Sequence, residues 1–479
     1  MKSYKHQIAT KSVFLLSVVL FFISKPTNAQ DTLSYNKPKE LIIKSIKLKG
    51  NKKTKDYIIL RELDFSINDT LLTQDSSSVF ERNSNLIFNT NLFISVSIHS
   101  SVSLENELHI VINLKERWYI FPFPILELAD RNFDEWWNQR GRDLSRLEWG
   151  IRFKHDNFLG KNEKLNIILQ FGFTKKYEIF HELPYINKQK TLGLRYGISY
   201  STNKSVGYQT SSDNTLTFLN SDDVLRKRFY STLSLRLRPK YYIEHIGGLE
   251  FHNNTISDQI LDSTNFYLGN NLNRHQYIRF FYSFNINKTD INYYPTKGFE
   301  FELNVRKDGL GIFKDINRGE INGFYAKYFP LSEKWNFGSR ADYKSSYTRN
   351  LSYLLQEGLG YGEKFVRGYQ PYVIDGQHFI LNRNELKYRA LKFTVKMGRL
   401  MPIEQFETVP YRVFIKGFGD FGYVSNNFSE LQSDLSNRLT SGFGLGVDIV
   451  SYYDSVFRIE YAINNLKNKG LYLHLAKAL

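Results

Sequence analysis

Phe299-Glu300-Phe301-Glu302-Leu303-Asn304-Val305-Arg306 alternates apolar and polar residues without a break. Successive side chains of a β-strand point to opposite faces, so this stretch reads as a strand with one oily and one charged face. The pattern recurs along the chain. Leu147, Trp149, Ile151 and Phe153 oppose Glu148, Arg152 and Lys154. Leu192, Leu194, Tyr196, Ile198 and Tyr200 oppose Gly193, Arg195, Gly197 and Ser199. Phe443, Leu445, Val447 and Ile449 oppose Gly442, Gly444, Gly446 and Asp448, and Phe457, Ile459, Tyr461 and Ile463 oppose Arg458, Glu460 and Ala462. One such strand fits any half-buried antiparallel sheet. Roughly sixteen of them, with turn residues between, read as an all-β transmembrane barrel over residues 147–479, apolar side to lipid and polar side to the lumen.

Composition agrees. Of 479 residues 16% are aromatic, 38 Phe and 32 Tyr among them, which suits the interfacial girdles of a barrel. The net charge of +16 is dispersed rather than gathered in a basic run, so anionic lipid headgroups are the expected counterpart and nucleic acid is not. With no cysteine, disulfides, thiolate metal sites and a cysteine nucleophile are excluded.

Lys2, Lys5 and Lys11 precede an apolar run from Val13 to Ile23, and Thr27-Asn28-Ala29 follows. Basic, apolar, then small is the order of a cleavable signal peptide, residues 1–29. An exported chain of low mean hydropathy that belongs in a membrane has one solution, a closed barrel whose strands satisfy each other's backbone groups. Residues 30–40, with Pro38, read as a flexible leader.

Residues 41–116 read as a compact α+β module of strand, helix, helix, strand, strand. Leu41–Leu48 precedes the turn Gly50-Asn51. Ile59, Leu60 and Leu63 fall at helical spacing, as do Val79, Phe80, Leu86 and Ile87. Phe93–Ser100 and Leu108–Leu114 alternate as strands. Ile46-x-Leu48-x-Gly50-Asn51, Asn91-Leu92-Phe93 and Ile110-Val111-Ile112-Asn113-Leu114-Lys115-Glu116 resemble the pattern of a POTRA domain. Residues 117–146 read as a connection to the barrel, the two domains being joined through Glu116-Arg117-Trp118-Tyr119.

A second motif, Val366-Arg367-Gly368-Tyr369, sits in a long loop before Phe379, between the eleventh and twelfth expected strands. It resembles the (V/I/L)RG(F/Y) motif of the BamA/TamA superfamily of outer-membrane proteins, the bacterial surface antigen family. Asn384-Glu385-Leu386 and Gly419-Asp420-Phe421-Gly422 match that family's pattern in the next two strands. Asn468, Gly470, Leu473 and Leu475 resemble a terminal barrel-assembly signal, although the chain ends in Leu479 rather than an aromatic residue. Central assembly proteins of the superfamily usually carry several POTRA domains; this chain has room for one.

The loop motif also has a physical reading. A loop of about thirty residues is usually functional or disordered. Folded into the lumen, Arg367 leaves bulk water and needs carboxylates. Glu385 and Asp420 lie on the flanking strands, and a guanidinium binds carboxylates through parallel bonds. Gly368 permits tight backbone, and Tyr369 completes the motif. These five residues are the expected lumenal clamp.

No G-x-S-x-G, H-E-x-x-H or phosphate-binding loop is present, and the ten His are scattered, so no enzyme, metal or cofactor is expected. The resemblance implies a Gram-negative outer-membrane barrel with its POTRA domain in the periplasm. Its function would be assisting insertion of outer-membrane proteins, or translocating a polypeptide. The POTRA edge, at Phe93, Val96 and Ile98, would pair with an unfolded or extended client. A weak lateral seam would join the first strand (Trp149, Ile151, Phe153) to the last (Leu471, Leu473, Leu475). A periplasmic or lipoprotein partner on the POTRA domain is a further expectation. A passive channel and a lipid-trafficking role stay open.

Overall fold

The computed structural model describes residues 40–128, 144–269, 271–313, 316–348, 352–398, 401, 403–451 and 454–476. The signal peptide and leader lie outside the described residues, apart from Glu40.

The N-terminal domain has four strands: β1 (Glu40–Lys49), β2 (Thr70–Leu72), β3 (Phe93–Val102) and β4 (Glu107–Glu116). Their order in the sheet is β2-β1-β4-β3, with β1 parallel to β4 and the other pairs antiparallel. Helices α1 (Asp56–Leu60) and α2 (Ser76–Phe88) cover one face. Ile58, Ile59 and Ile87 from the helices meet Ile43, Phe93, Leu108, Ile110 and Ile112 from the sheet in one buried core. Alternation along β4 buries Leu108, Ile110, Ile112 and Leu114 on the helix side. The expected order of elements is found, with β2 added.

Most of the rest of the described chain forms one sixteen-stranded antiparallel sheet, and two small ribbons, Ser205–Thr210 with Leu216–Asn220 and Glu357–Leu359 with Ile374–Asp375, lie outside it. Counted as barrel strands, the first is Ile120–Leu128, the second Leu147–Phe158, the third Glu163–Gly172 and the fourth Lys175–Leu183. The eleventh is Trp335–Thr348, the twelfth His378–Lys396 and the thirteenth Thr408–Ser425. Leu439–Val450, Val456–Asn464 and Lys469–Ala476 are the last three. Apolar residues such as Trp149, Ile198, Leu235, Ile321, Phe443 and Leu445 are exposed on the outer face. Polar residues such as Asp308, Glu320, Asp342, Glu385 and Asp448 are buried inside. This is the construction of a transmembrane β-barrel. Among the described residues no helix is long and apolar enough to cross a membrane.

Two expectations are corrected. The segment 117–146 is not simply a connection: Ile120–Leu128 is the first barrel strand, in unbroken register with the next from Ile120↔His155 to Leu128↔Leu147. Trp149, Ile151 and Phe153 therefore lie on the second strand, one place in from the seam. The missed strand has no alternation to find. Phe121, Phe123 and Ile125 face the lumen beside Lys154, Arg152 and Gly150, while Ile120, Pro122, Pro124 and Leu126 face outward, so both sides are apolar. Two prolines also argue against a strand except at an edge.

The N-terminal domain is sewn to the barrel's turns at its own end. Arg238, closing the sixth strand Arg226–Lys240, donates two hydrogen bonds to the Glu62 carboxylate, at 2.7 and 2.8 Å. Tyr185 adds a hydroxyl bond to Glu62 at 3.1 Å. Asn157 donates to Thr54 at 2.9 Å, Asn89 to the Asp290 carbonyl at 3.1 Å, and Arg117 to Asp454 at 3.3 Å. Burial alone would raise the pKa of Glu62, but the Arg238 and Arg61 charges and the bonds from Arg238 and Tyr185 outweigh it and hold the carboxyl below its ordinary value. At the opposite end Asn214, in the left-handed region at φ 67°, ties three loops together. Its side chain donates to the Val373 carbonyl at 2.9 Å and to Ser433 at 2.6 Å, and accepts from the Leu435 N–H at 3.0 Å.

Candidate functional site: the lumenal clamp and the seam

The loop between the eleventh and twelfth strands folds into the lumen. Val366 and Tyr369 pack into a buried cluster with Leu359, Ile374, Phe379, Leu381 and Val424. That anchorage carries Arg367 between the walls, where it is 3% exposed. Arg367 donates to Asp420 through Nε at 2.7 Å and Nη2 at 2.5 Å, and its own backbone N–H reaches the same carboxylate at 3.1 Å. Nη1 bonds to Glu385, and to Glu460 at 3.2 Å. The guanidinium lies 4.0 Å from the centre of the Phe418 ring, a cation–π contact in a desolvated place.

Strand alternation delivers these partners. Glu385, Asp420 and Glu460 lie on the twelfth, thirteenth and fifteenth strands and face the same lumen. The fourteenth strand between them presents glycine. A Cβ at Gly442 would overlap the Arg367 carbonyl oxygen, so the loop rests where a side chain would otherwise be. Gly368, at φ 93°, adopts a conformation that other residues reach only with strain, and its carbonyl accepts from Asn464 at 2.8 Å. Tyr369 bonds through its hydroxyl to Asn465.

All five expected clamp residues are thus placed together: Arg367 bonds directly to Glu385 and Asp420, and Gly368 and Tyr369 lock the loop beside them. Sequence reasoning missed the extent of the network. Lys416 bridges Glu385 at 3.2 Å, Asp448 at 3.0 Å and Glu460 at 2.8 Å. Lys387 pairs with Glu385 at 2.8 Å, and Arg458 with Asp448 at 3.1 Å. Arg367, Lys387, Lys416 and Arg458 face Glu385, Asp420, Asp448 and Glu460, so charge balances within the cluster. Tyr294, fully buried, comes from the turn between the eighth and ninth strands and donates to Asp448 at 3.0 Å, a contact that requires the sheet to curl round. The available signal was parity. Asp448, Arg458 and Glu460 stood on the polar faces of their strands, without anything in sequence to pair them across strands.

The seam is the second feature. The first and last barrel strands end the sheet order, and among the described residues no ladder joins them. Leu471 and Leu473 point outward from the last strand, 66% and 61% exposed. Leu475 pairs in register with Phe457; its side chain lies outside the described residues.

In the N-terminal domain β3 is an edge strand. Phe93 is wholly buried, and Val96 and Ile98 pack against the core, so their side chains are not an open surface. The Ser103 N–H bonds to Glu107, its partner on β4, which turns the main-chain groups of Val96 and Ile98 to the free side. What the edge offers is backbone. Among the described residues no cluster of His, Asp and Glu is arranged to hold a metal.

Residues 41–117 match the POTRA family model, described as a surface antigen variable number repeat. No curated protein matches the chain in sequence. Among solved structures, BamA from Haemophilus ducreyi lacking POTRA domains 1-3 is similar at 16% identity, over 91% of this chain and 83% of that one, with a TM-score of 0.49. CdiB from Acinetobacter baumannii is similar at 12% identity, over 90% and 73%, with a TM-score of 0.46. CdiB from Escherichia coli is similar at 11% identity, over 99% and 98%, with a TM-score of 0.46. The match over residues 41–117 makes the N-terminal domain a POTRA domain, and it stands ahead of a sixteen-stranded barrel.

Proposed function

We propose that this chain handles other polypeptides at the outer membrane of a Gram-negative bacterium, without enzymatic chemistry. It assists insertion of barrel proteins or passes one client across, with the POTRA domain in the periplasm and lipid around the barrel. The observation that carries this reading is the seam. A sheet whose first and last strands share no ladder among the described residues has main-chain groups to offer there, and such groups template an incoming strand. The POTRA edge at β3 supports the same reading, because an extended segment adds to a sheet edge with little demand on its sequence. A periplasmic or lipoprotein partner on the POTRA domain belongs to the same proposal.

Because the chain has no native cysteine, one pair introduced across the seam gives an unambiguous disulfide. Locking the first strand to the last is expected to abolish activity and reduction to restore it. Retained activity in the locked protein counts against the seam and favours passage through the lumen. Depletion followed by quantitative outer-membrane proteomics separates the two forms of the function. Loss of many barrels means assembly, loss of one secreted species means a dedicated translocator, and no loss points to a channel.

A further inference from the structure

The two edges of the seam are not equivalent. In an antiparallel ladder, alternate residues turn both N–H and C=O toward one neighbour and the rest turn them away. The Asp156 N–H bonds to the Tyr119 carbonyl at 2.9 Å, directly opposite in register. That fixes the parity of the first strand. Phe121, Phe123 and Ile125 address the second strand, while Ile120, Pro122, Pro124 and Leu126 address the seam. Proline has no N–H, so two successive seam-facing donors are missing. The Trp118 indole bonds to the Ile120 carbonyl and occupies an acceptor on the same edge.

On the last strand the Asn464 N–H bonds to the Asn468 carbonyl at 3.0 Å, again directly opposite. Lys469, Leu471, Leu473 and Leu475 consequently turn their main-chain groups to the seam. None is proline, so this edge keeps every donor and every acceptor.

We infer that an incoming strand pairs with the last barrel strand, at Lys469–Leu475, and that the proline-bearing first strand is the blunted side of the seam. The inference rests on the seam reading above and adds which edge templates. The partner is an extended, alternating segment of polypeptide. The prolines also keep the seam from zipping shut on itself, since Pro122 and Pro124 break any ladder the first strand would make with the last.

The test uses the full-length protein in lipid vesicles. A photo-crosslinking phenylalanine is placed at Leu473 or at Leu126, and the probe is a biotinylated synthetic peptide copying residues 469–479. Adducts at Leu473 are expected to exceed those at Leu126 by on the order of tenfold, the worth of two hydrogen bonds. Restoring the donors with P122A and P124A together should raise the Leu126 adduct by about the same factor. Heat-modifiable mobility verifies that each variant is folded. An equal or larger adduct at Leu126 in the protein with its native prolines overturns the edge assignment and leaves the seam reading standing. Indifference to P122A/P124A overturns it too. No adduct at either edge overturns both.

Discussion

The wall made by the twelfth to fifteenth strands and the seam made by the first and last differ in nearly every respect. The twelfth and thirteenth strands run 19 and 18 residues; the first and last run 9 and 8. The wall is cross-tied by a balanced, buried charge network centred on Arg367 and Lys416. The seam has no ladder among the described residues, and one of its edges carries prolines. Buried ion pairs add little net stability over a well-packed apolar core, but they specify one arrangement and punish its disruption. The contrast teaches that rigidity is concentrated in the wall that adjoins a site left free to pair.

The hardest way to break this contrast is at the clamp. Arg367→Ala strands Asp420, Glu385 and Glu460 with a missing partner, and should cost about 3–5 kcal/mol. The folded barrel's heat-modifiable mobility should be lost at lower temperature; unchanged mobility would mean that the loop does not hold the wall.

Glu62→Ala, which takes the carboxylate away from half-buried Arg238, should cost about 2 kcal/mol of docking between the POTRA domain and the turns. The same pair gives a pH dependence. Because the folded protein holds the Glu62 pKa below its ordinary 4.5, the contribution is complete above that value and disappears as pH falls through the lowered pKa. Energy transfer between dyes attached in α1 and in the turn at residues 184–191 should therefore drop under acid and stay constant toward alkaline pH.

Gly442→Ala sharpens the comparison more gently. Its methyl group collides with the Arg367 carbonyl, and overpacking of this kind costs about 1–3 kcal/mol. A clamp shifted in this way should be seen as faster proteolysis of the loop. The smallest effect belongs to Trp149→Ala. Trp149 stacks on Phe171 at 4.9 Å, one strand in from the seam, so stability should change by about 1 kcal/mol and seam crosslinking should not change. Altered crosslinking would return Trp149 to the gate.

Much of this was legible in the residues because a barrel's period-2 pattern is local. Phe299–Arg306 and Gly442–Ile449 announced their faces, and the resemblance around Asn384-Glu385-Leu386 and Gly419-Asp420-Phe421-Gly422, on the strands flanking the loop, singled out Glu385 and Asp420 as partners for Arg367. What stayed hidden depends on distance or on broken pattern. Glu62 and Arg238 are far apart in sequence and share no motif. Glu460 joins the clamp only because the sheet curls. The three-residue β2 is too short to show a period. Ile120–Leu128 was invisible because its prolines and its two apolar faces, the features that set its edge apart, erase the strand signature.

The bond from Arg117 to Asp454 carries a consequence about chronology. Arg117 follows directly on the POTRA domain, which is made before the barrel, and Asp454 sits in the turn between the fourteenth and fifteenth strands. The domain waits through the synthesis and threading of fourteen strands before this stitch can be tied. Its closure marks a wall complete to the fourteenth strand, and a chain stalled before that point leaves its POTRA domain hanging by the earlier stitches alone.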